Sequence, residues 1–232
     1  MKVEIWSDVV CPFCYIGKRK FEQALGQFAH RDDVQIEWKS FQLTPDFVPV
    51  PGESIHASLA KKKGVSEAEG RRMNDYMTQA AKEVGLDYQF EKTIPANTFL
   101  AHQLIHFAAH QGKQGEMKER LFAAYYLEGQ DLNALDTLAS QAAEIGLDAA
   151  AARQALEAGT YANEVRRDEY EAQQISVRGV PFFVFADKYA VSGAQPSEVF
   201  AEVLDTVWAE AHPKTQPTML ADGPACGPEG CD

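Results

Sequence analysis

The chain has 232 residues, 45% hydrophobic, 10% aromatic and 24% charged, which excludes disordered and fibrous chains and is apolar enough to bury a sizeable core. Lysine and arginine total 22 against 34 aspartates and glutamates, a formal net charge of −12; with no basic patch standing out, neither nucleic acid nor anionic membrane is expected as a partner. The longest apolar run, residues 180–186, falls far short of the roughly 20 residues of a transmembrane helix. Glu4 and Asp8 interrupt the N-terminal apolar residues where a secretory signal would be continuous. A cytoplasmic protein is expected, although a mature chain with its signal removed reads the same way.

Residues 3–7 are β-prone, and the Cys11-Pro12-Phe13-Cys14 that follows leads into Phe21, Leu25 and Phe28 at helical spacing, which reads as strand, turn and helix. At about 100° per residue Cys14 shares the apolar stripe of Phe21, Leu25 and Phe28, while Cys11 sits one turn earlier at the helix mouth. Cys14 is therefore expected to be buried and Cys11 accessible. Residues 34–41 alternate apolar and polar, completing β-α-β with a right-handed crossover. Three prolines and a glycine interrupt the chain between Pro45 and Gly52, and helical signals then dominate up to Ile175. Ser66-x-x-Glu69 reads as a capping box, and Gly85 and Gly146 as glycines just past helix ends. The period returns to two at residues 180–185, a strand opened by Pro181, with residues 189–192 as its hairpin partner. Pro196-Ser197 starts a last helix whose apolar face is Val199, Phe200, Val203, Leu204, Val207 and Trp208.

The order βαβ, many helices, ββα predicts an α/β fold in which one domain, residues 1–45 and 172–212, is interrupted by an all-helical one, residues 46–171. Residues 213–232, rich in proline and glycine, are expected to form a flexible tail. It carries Cys226 and Cys231 as a Cys-x-x-x-x-Cys pair.

Four cysteines are too few for a disulfide scaffold. A Cys-x-x-Cys that ends a strand and opens a helix near a βαβ pattern reads as a thioredoxin-like redox pair. A free thiol, with a pKa of about 8.5, is only slightly ionised at neutral pH, whereas a helix N-terminus offers unpaired N–H groups and a positive dipole end. Stabilising the thiolate by about 1.4 kcal/mol lowers the pKa by about one unit. On this argument Cys11 is a nucleophile of lowered pKa and Pro12, lacking an N–H, suits the first helical position. Cys14 then resolves a mixed disulfide from within. The competing readings are a merely structural pair of small buried residues and a four-cysteine zinc site completed by Cys226 and Cys231; the wide separation of the two pairs, with no compact ribbon between them, argues against zinc. The Val180-Pro181 bond is a candidate cis peptide, set against an ordinary edge-strand proline. His102, His106 and His110 recur every four residues and read as an amphipathic face in preference to a metal site. Asn97 reads as a helix cap in preference to a cleft residue.

Asp8-Val9-Val10-Cys11-Pro12-Phe13-Cys14, Asn97-Thr98-x-x-Ala101-His102, Arg178-Gly179-Val180-Pro181-Phe182-Phe183 and Val191-Ser192-Gly193-Ala194-Gln195-Pro196 together resemble the DsbA-family thioredoxin-fold oxidoreductases, and within them the FrnE-like branch, over residues 1–210. The resemblance implies a thioredoxin domain with an inserted helical domain, Cys11 as attacking and Cys14 as resolving cysteine, and Pro181 as a cis-proline loop that faces Cys11 and pairs with a substrate backbone. Pro12, Phe13 and Val180 beside it are assigned to substrate binding. Glu4 resembles, in register, the buried acid that accepts the resolving thiol's proton in thioredoxins; a solvent-facing strand residue is the alternative. Phe13 replaces the histidine of the DsbA archetype, which argues against a strong oxidant. Kappa-class glutathione transferases and chromene-carboxylate isomerases are similar in architecture but typically place serine at the Cys11 position, so the intact pair favours dithiol chemistry.

The expected function is a thiol–disulfide oxidoreductase or isomerase acting on disulfide-containing protein or small-thiol substrates in a cleft between the two domains, with no bound cofactor or metal. A glutathione-dependent transferase or isomerase, and a zinc-binding or redox-sensing protein, are the alternatives. Cys226 and Cys231 are a candidate second redox pair.

Overall fold

A computed structural model describes residues 1–213 and the backbone of Cys226–Gly227 and Gly230–Cys231. The elements in chain order are β1 (Lys2–Ser7), α1 (Pro12–Gln27), β2 (Gln35–Ser40), α2 (Ile55–Lys63), α3 (Glu67–Lys82), α4 (Phe99–Ala109), α5 (Gln114–Ala123), α6 (Leu135–Glu144), α7 (Ala149–Glu157), α8 (Ala162–Gln174), β3 (Phe182–Phe185), β4 (Tyr189–Ser192), α9 (Ser197–Ala211), β5 (Cys226–Gly227) and β6 (Gly230–Cys231). The expected α/β order is present. A π-helical turn, Ala124–Glu128, extends α5.

The main sheet runs β2-β1-β3-β4. β1 pairs in parallel with β2, Ile5 opposite Trp38, and antiparallel with β3, Ile5 opposite Phe183; β4 returns as the hairpin partner of β3. Side chains alternate across the sheet. Val3 and Ile5 join the core packed against α1 and α9, where Phe21 lies 5.6 Å from Phe183 and 5.7 Å from Phe200, ring centre to ring centre. Glu4 and Trp6 point to the other face, where Trp6 packs with Ala172 and Val177.

Local signals account for most helix ends. Ser54 and Ser66 cap α2 and α3 by accepting from the Ala57 and Glu69 N–H groups, at 3.0 and 3.2 Å. Only this half of the expected capping box is present, because the Glu69 carboxylate instead accepts from Arg72 at 3.1 Å. Gly85 and Gly146 take φ of +78° and +74° just past their helices, a region that glycine enters without the Cβ clash other residues meet. The apolar core does not stop at the expected domain boundary. Tyr15 of α1 stacks on Phe122 of α5 at 4.7 Å, and Glu119 of α5 accepts from Tyr15 at 2.6 Å and from Lys18 at 2.6 Å.

The helices are pinned to the second sheet face by Asp168 of α8. Its Oδ2 accepts from the Ser40 N–H at 2.8 Å and lies 3.0 Å from His106 Nε2. Lys39 Nζ makes an ion pair with Oδ1 at 3.3 Å, and the Asp168 carbonyl accepts from Trp6 Nε1 at 3.0 Å. Burial opposes ionisation of this carboxyl, but His106, the Ser40 N–H and the Lys39 charge outweigh it and hold the group below its ordinary range.

In the tail, β5 and β6 place Cys226 opposite Cys231 in a two-stranded antiparallel ladder. The flexibility expected of the tail lies outside the described residues, as do the two cysteine side chains.

Removing one partner of such a buried network costs about 3–5 kcal/mol, so Asp168→Asn is expected to lower the midpoint of thermal unfolding by roughly 6–20 °C in a protein of this size. Because the folded pKa is depressed, this stabilisation is complete above the unfolded carboxyl value of about 3.9 and is lost as pH falls through the folded value. The gap between the melting curves of the two proteins should therefore stay constant from pH 7 down to about pH 4 and narrow only below it.

Candidate active site

Beyond Ser7 the chain turns so that Cys11 becomes the N-cap of α1, at φ −94° and ψ 112°, with Pro12 as the first helical residue. The missing Pro12 N–H would have had no helical partner there. The Cys11 N–H donates to the Asp8 carbonyl at 3.2 Å, closing the turn, and the Cys14 N–H donates to the Cys11 carbonyl at 3.0 Å. The Val180-Pro181 peptide is cis, and the Cys11 thiol donates to the Val180 carbonyl at 3.4 Å. The Pro181 ring packs directly on α1 at Gly17, where a Cβ would lie 2.9 Å from Pro181 Cγ. The helix carrying the dithiol approaches the Pro181 loop this closely because residue 17 has no side chain.

Cys11, Pro12, Phe13 and Val180 line one wall of a cleft of about 750 Å³; Leu59, Met73 and Met77 of α2 and α3, with Tyr125 and Tyr126, line the other. Phe13 is 45% exposed. Lys62, Lys63 and Arg72 also border the cleft, against a single acidic residue, Glu69. The lining is thus mostly apolar with a basic edge.

Two expectations for Cys11 are corrected. It is only 4% exposed, against 1% for Cys14, because the Val180 carbonyl and the cleft walls close over it; the asymmetry that survives is that Cys11 borders the cleft and Cys14 does not. Beside Cys14 its pKa is pushed up, not down. The hydrogen bond shared with the Cys14 side chain and burial raise it, the Cys14 charge adds to this, and the Cys14 N–H works in the opposite direction. Two thiols sharing one proton titrate as a pair, and a raised value of this kind belongs to the second proton lost.

Glu4 is not brought to this site. It faces the opposite side of the sheet with Trp6 and pairs with Lys2 at 2.8 Å and Lys39 at 3.7 Å. The three histidines pair with acids: His102 lies 3.3 Å from Asp8, His106 lies between Asp168 at 3.0 Å and Glu164 at 3.2 Å, and His110 shares Glu164 at 3.1 Å. Among the described residues no group of three potential metal ligands converges. Asn97 is not the N-cap of α4, which is Thr98; from one residue earlier its Oδ1 accepts from the Phe99 N–H at 3.0 Å, and it ties down the chain after β2 by donating to the Pro45 and Phe47 carbonyls at 2.9 and 3.0 Å.

Several residues at the site were not singled out by sequence reasoning. Asp8, fully buried, accepts from the Leu43 N–H at 2.8 Å and faces His102. Burial disfavours its charge, but His102, the Leu43 N–H and Thr98 more than compensate and hold it below the ordinary carboxyl range. Tyr88 donates to the Pro12 carbonyl at 2.8 Å and stacks on Tyr126 at 4.4 Å. Lys118, 1% exposed, donates to the Ser7 carbonyl at 3.2 Å. Lys118, Leu121, Phe122 and Tyr125 follow the i, i+3, i+4, i+7 spacing of a buried helix stripe; a lysine on that stripe is the signal that pointed inward.

The chain is similar to known proteins over nearly its whole length. A probable DsbA oxidoreductase from Streptomyces coelicolor is 38% identical in sequence and superimposes with a TM-score of 0.84, over 100% of this chain and 98% of that one. The uncharacterised protein YwbO of Bacillus subtilis is 31% identical over 209 residues, 87% of this chain and 94% of its own length. The cytosolic disulfide reductase DsbM of Pseudomonas aeruginosa, solved with GSH, shares the fold at a TM-score of 0.63 and 16% identity, over 89% of this chain and 98% of that one. The DSBA-like thioredoxin domain matches residues 2–205, and the chain belongs to that family.

Proposed function

We propose that the chain is a thiol–disulfide oxidoreductase or isomerase working through Cys11 and Cys14 on disulfides of protein or small-thiol substrates, within the FrnE-like branch. The observation that carries this reading is the placement of Cys11: at a helix N-terminus, on the wall of an apolar cleft, 3.4 Å from the Val180 carbonyl, with Cys14 one turn behind it. In the reducing direction the Cys11 thiolate attacks one sulfur of the substrate disulfide. A Cys11–substrate S–S bond forms, and the second substrate sulfur leaves as a thiolate that takes up a proton. Cys14 as thiolate then attacks Cys11 Sγ, forming the Cys11–Cys14 disulfide and releasing the first substrate sulfur. Two electrons pass from the dithiol to the substrate, and the reverse sequence oxidises.

Pro12, Phe13 and Val180 supply the contact surface, and Pro181 fixes the loop beside it. We divide the chain at residues 45 and 171 into the dithiol domain and the helical insertion, with the cleft between them. The basic edge of Lys62, Lys63 and Arg72 suits an anionic thiol such as glutathione as the small substrate, and the cytosolic relative solved with GSH supports that choice and a reducing cytoplasmic setting. Cys226 and Cys231, opposed in the β5–β6 ladder, are assigned as a second pair that exchanges with the first.

Cys11→Ser is expected to reduce turbidimetric insulin reduction by dithiothreitol to the uncatalysed rate, while Cys14→Ser accumulates mixed disulfides detectable by intact mass. Full activity in Cys11→Ser would refute the dithiol mechanism. Truncation after Ala225 is expected to slow either oxidation or reduction, and a Cys14→Ser protein should yield a Cys11-to-tail disulfide in peptide mapping; wild-type rates with no such adduct would leave the tail out of the cycle.

A further inference from the structure

The cleft residues explain how a substrate reaches Cys11, but resolution by Cys14 also needs somewhere for its proton to go. Glu4 lies across the sheet in ion pairs with Lys2 and Lys39. Asp8 is held as a carboxylate by His102, the Leu43 N–H and Thr98, so it accepts protons poorly. His102 is pushed down by burial and is committed to Asp8 at 3.3 Å. Tyr15, Tyr88, Tyr125 and Tyr126 are all held protonated, burial being the first cause in each.

Lys118 differs from all of these. Its amine ends against the carbonyl of Ser7, the last residue of β1, at 3.2 Å, and over the ring of Phe122, 5.0 Å from its centre. The same Phe122 ring stacks on Tyr15, the residue after Cys14. The amine thus lies one aromatic ring away from Tyr15, the residue after Cys14, at the end of the strand that leads into the dithiol turn. Among the described residues it makes no ion pair with a carboxylate, and the Ser7 hydroxyl, buried there, has no hydrogen-bond partner. A lysine without a counter-ion in such surroundings is costly to keep charged, which is how proteins make an amine into a base.

Resting on the dithiol reading, we propose that Lys118 is the proton acceptor for Cys14, carried to the active site by the inserted helices. In the resolving step the neutral amine takes the Cys14 thiol proton, giving ammonium and thiolate. The thiolate attacks Cys11 Sγ, the Cys11–Cys14 bond forms, the Cys11–substrate bond breaks, and the substrate sulfur leaves with the electron pair. Reoxidation of a substrate by the Cys11–Cys14 disulfide runs this in reverse, the ammonium returning the proton to Cys14.

The electrostatics fit that role. Burial lowers the Lys118 pKa to about 8, opposed by the charges of Cys14, Asp8 and Cys11 and reinforced by Lys18, and His102 feels the Lys118 charge in turn. A Cys14 thiolate also favours the ammonium beside it, so the two charges appear together.

The test follows single turnovers of the reduced protein with oxidised glutathione, quenched and read by intact mass. Lys118→Met, which keeps the length and apolar packing of the side chain, is expected to prolong the Cys11–glutathione adduct roughly 10–100-fold at pH 7, the scale of a lost general base. Adduct formation should change far less. The wild-type resolution rate should rise with pH through an inflection near 8, and that inflection should vanish in the variant. A folded Lys118→Met protein that resolves its adduct at the wild-type rate, with the same pH profile, overturns the proposal. Absence of any adduct in the wild type would instead overturn the dithiol reading beneath it. Independently of variant folding, ¹⁵N-lysine spectra of the wild type should show one amine titrating near 8; if every lysine titrates at or above the ordinary value of about 10.4, Lys118 is a fixed cation and the proposal fails.

Discussion

The candidate active site is organised around one buried carboxylate. Asp8 sits where β1 has ended and α1 has not begun, and each of its polar groups reaches a different part of the chain: its carbonyl accepts from the Cys11 N–H, one carboxylate oxygen holds the Leu43 N–H after β2, and the other faces His102 of α4. A charge taken out of water is tolerated only when surrounded by donors, so the folded state cannot loosen any one of these contacts without exposing the cost of the others. The turn that presents Cys11 is fixed by that requirement, and the position of α4 is fixed with it.

This constraint gives the neighbourhood its unusual electrostatics. An anion at Asp8 works against forming thiolates nearby, and it raises Cys11 along with burial and the second sulfur. The helix N-terminus acts in the other direction but is not the largest influence on the reduced pair. Phe13, at the position where the archetype has a cationic imidazole, adds no positive charge to offset this.

The front half of the site was legible in the sequence because its determinants are local. Spacing alone put Cys11 at the mouth of a helix and Cys14 on the stripe of Phe21 and Phe28, and Pro181 at the start of β3; all are positioned as those patterns require. What the sequence did not disclose depends on the sheet's pleat and on long-range packing. Whether Glu4 faced the dithiol or the other layer turned on a single residue of register, and β1 places it with Trp6. The closing of the cleft over Cys11 comes from Val180, 169 residues away. The charge partners of His102, His106 and His110 come from the turn after β1 and from α8, which no helical periodicity specifies. Tyr125 and Tyr126 are consecutive, and a regular helix points such neighbours about 100° apart; the π-helical turn that holds them, Ala124–Glu128, left no mark in the apolar pattern.

The sheet order also sets a timetable. β1, the first strand synthesised, needs β3 on its exposed edge, and β3 begins at Phe182. A ribosome adding about 5–20 residues per second spends roughly 8–35 s between making Cys11 and making the Val180 carbonyl that covers it, 169 residues later. Throughout that interval the Cys-x-x-Cys is chemically complete and structurally unroofed, open to any oxidant or thiol in its surroundings. The Val180 wall that encloses Cys11 in the folded chain is therefore among the last parts of the cleft to be made.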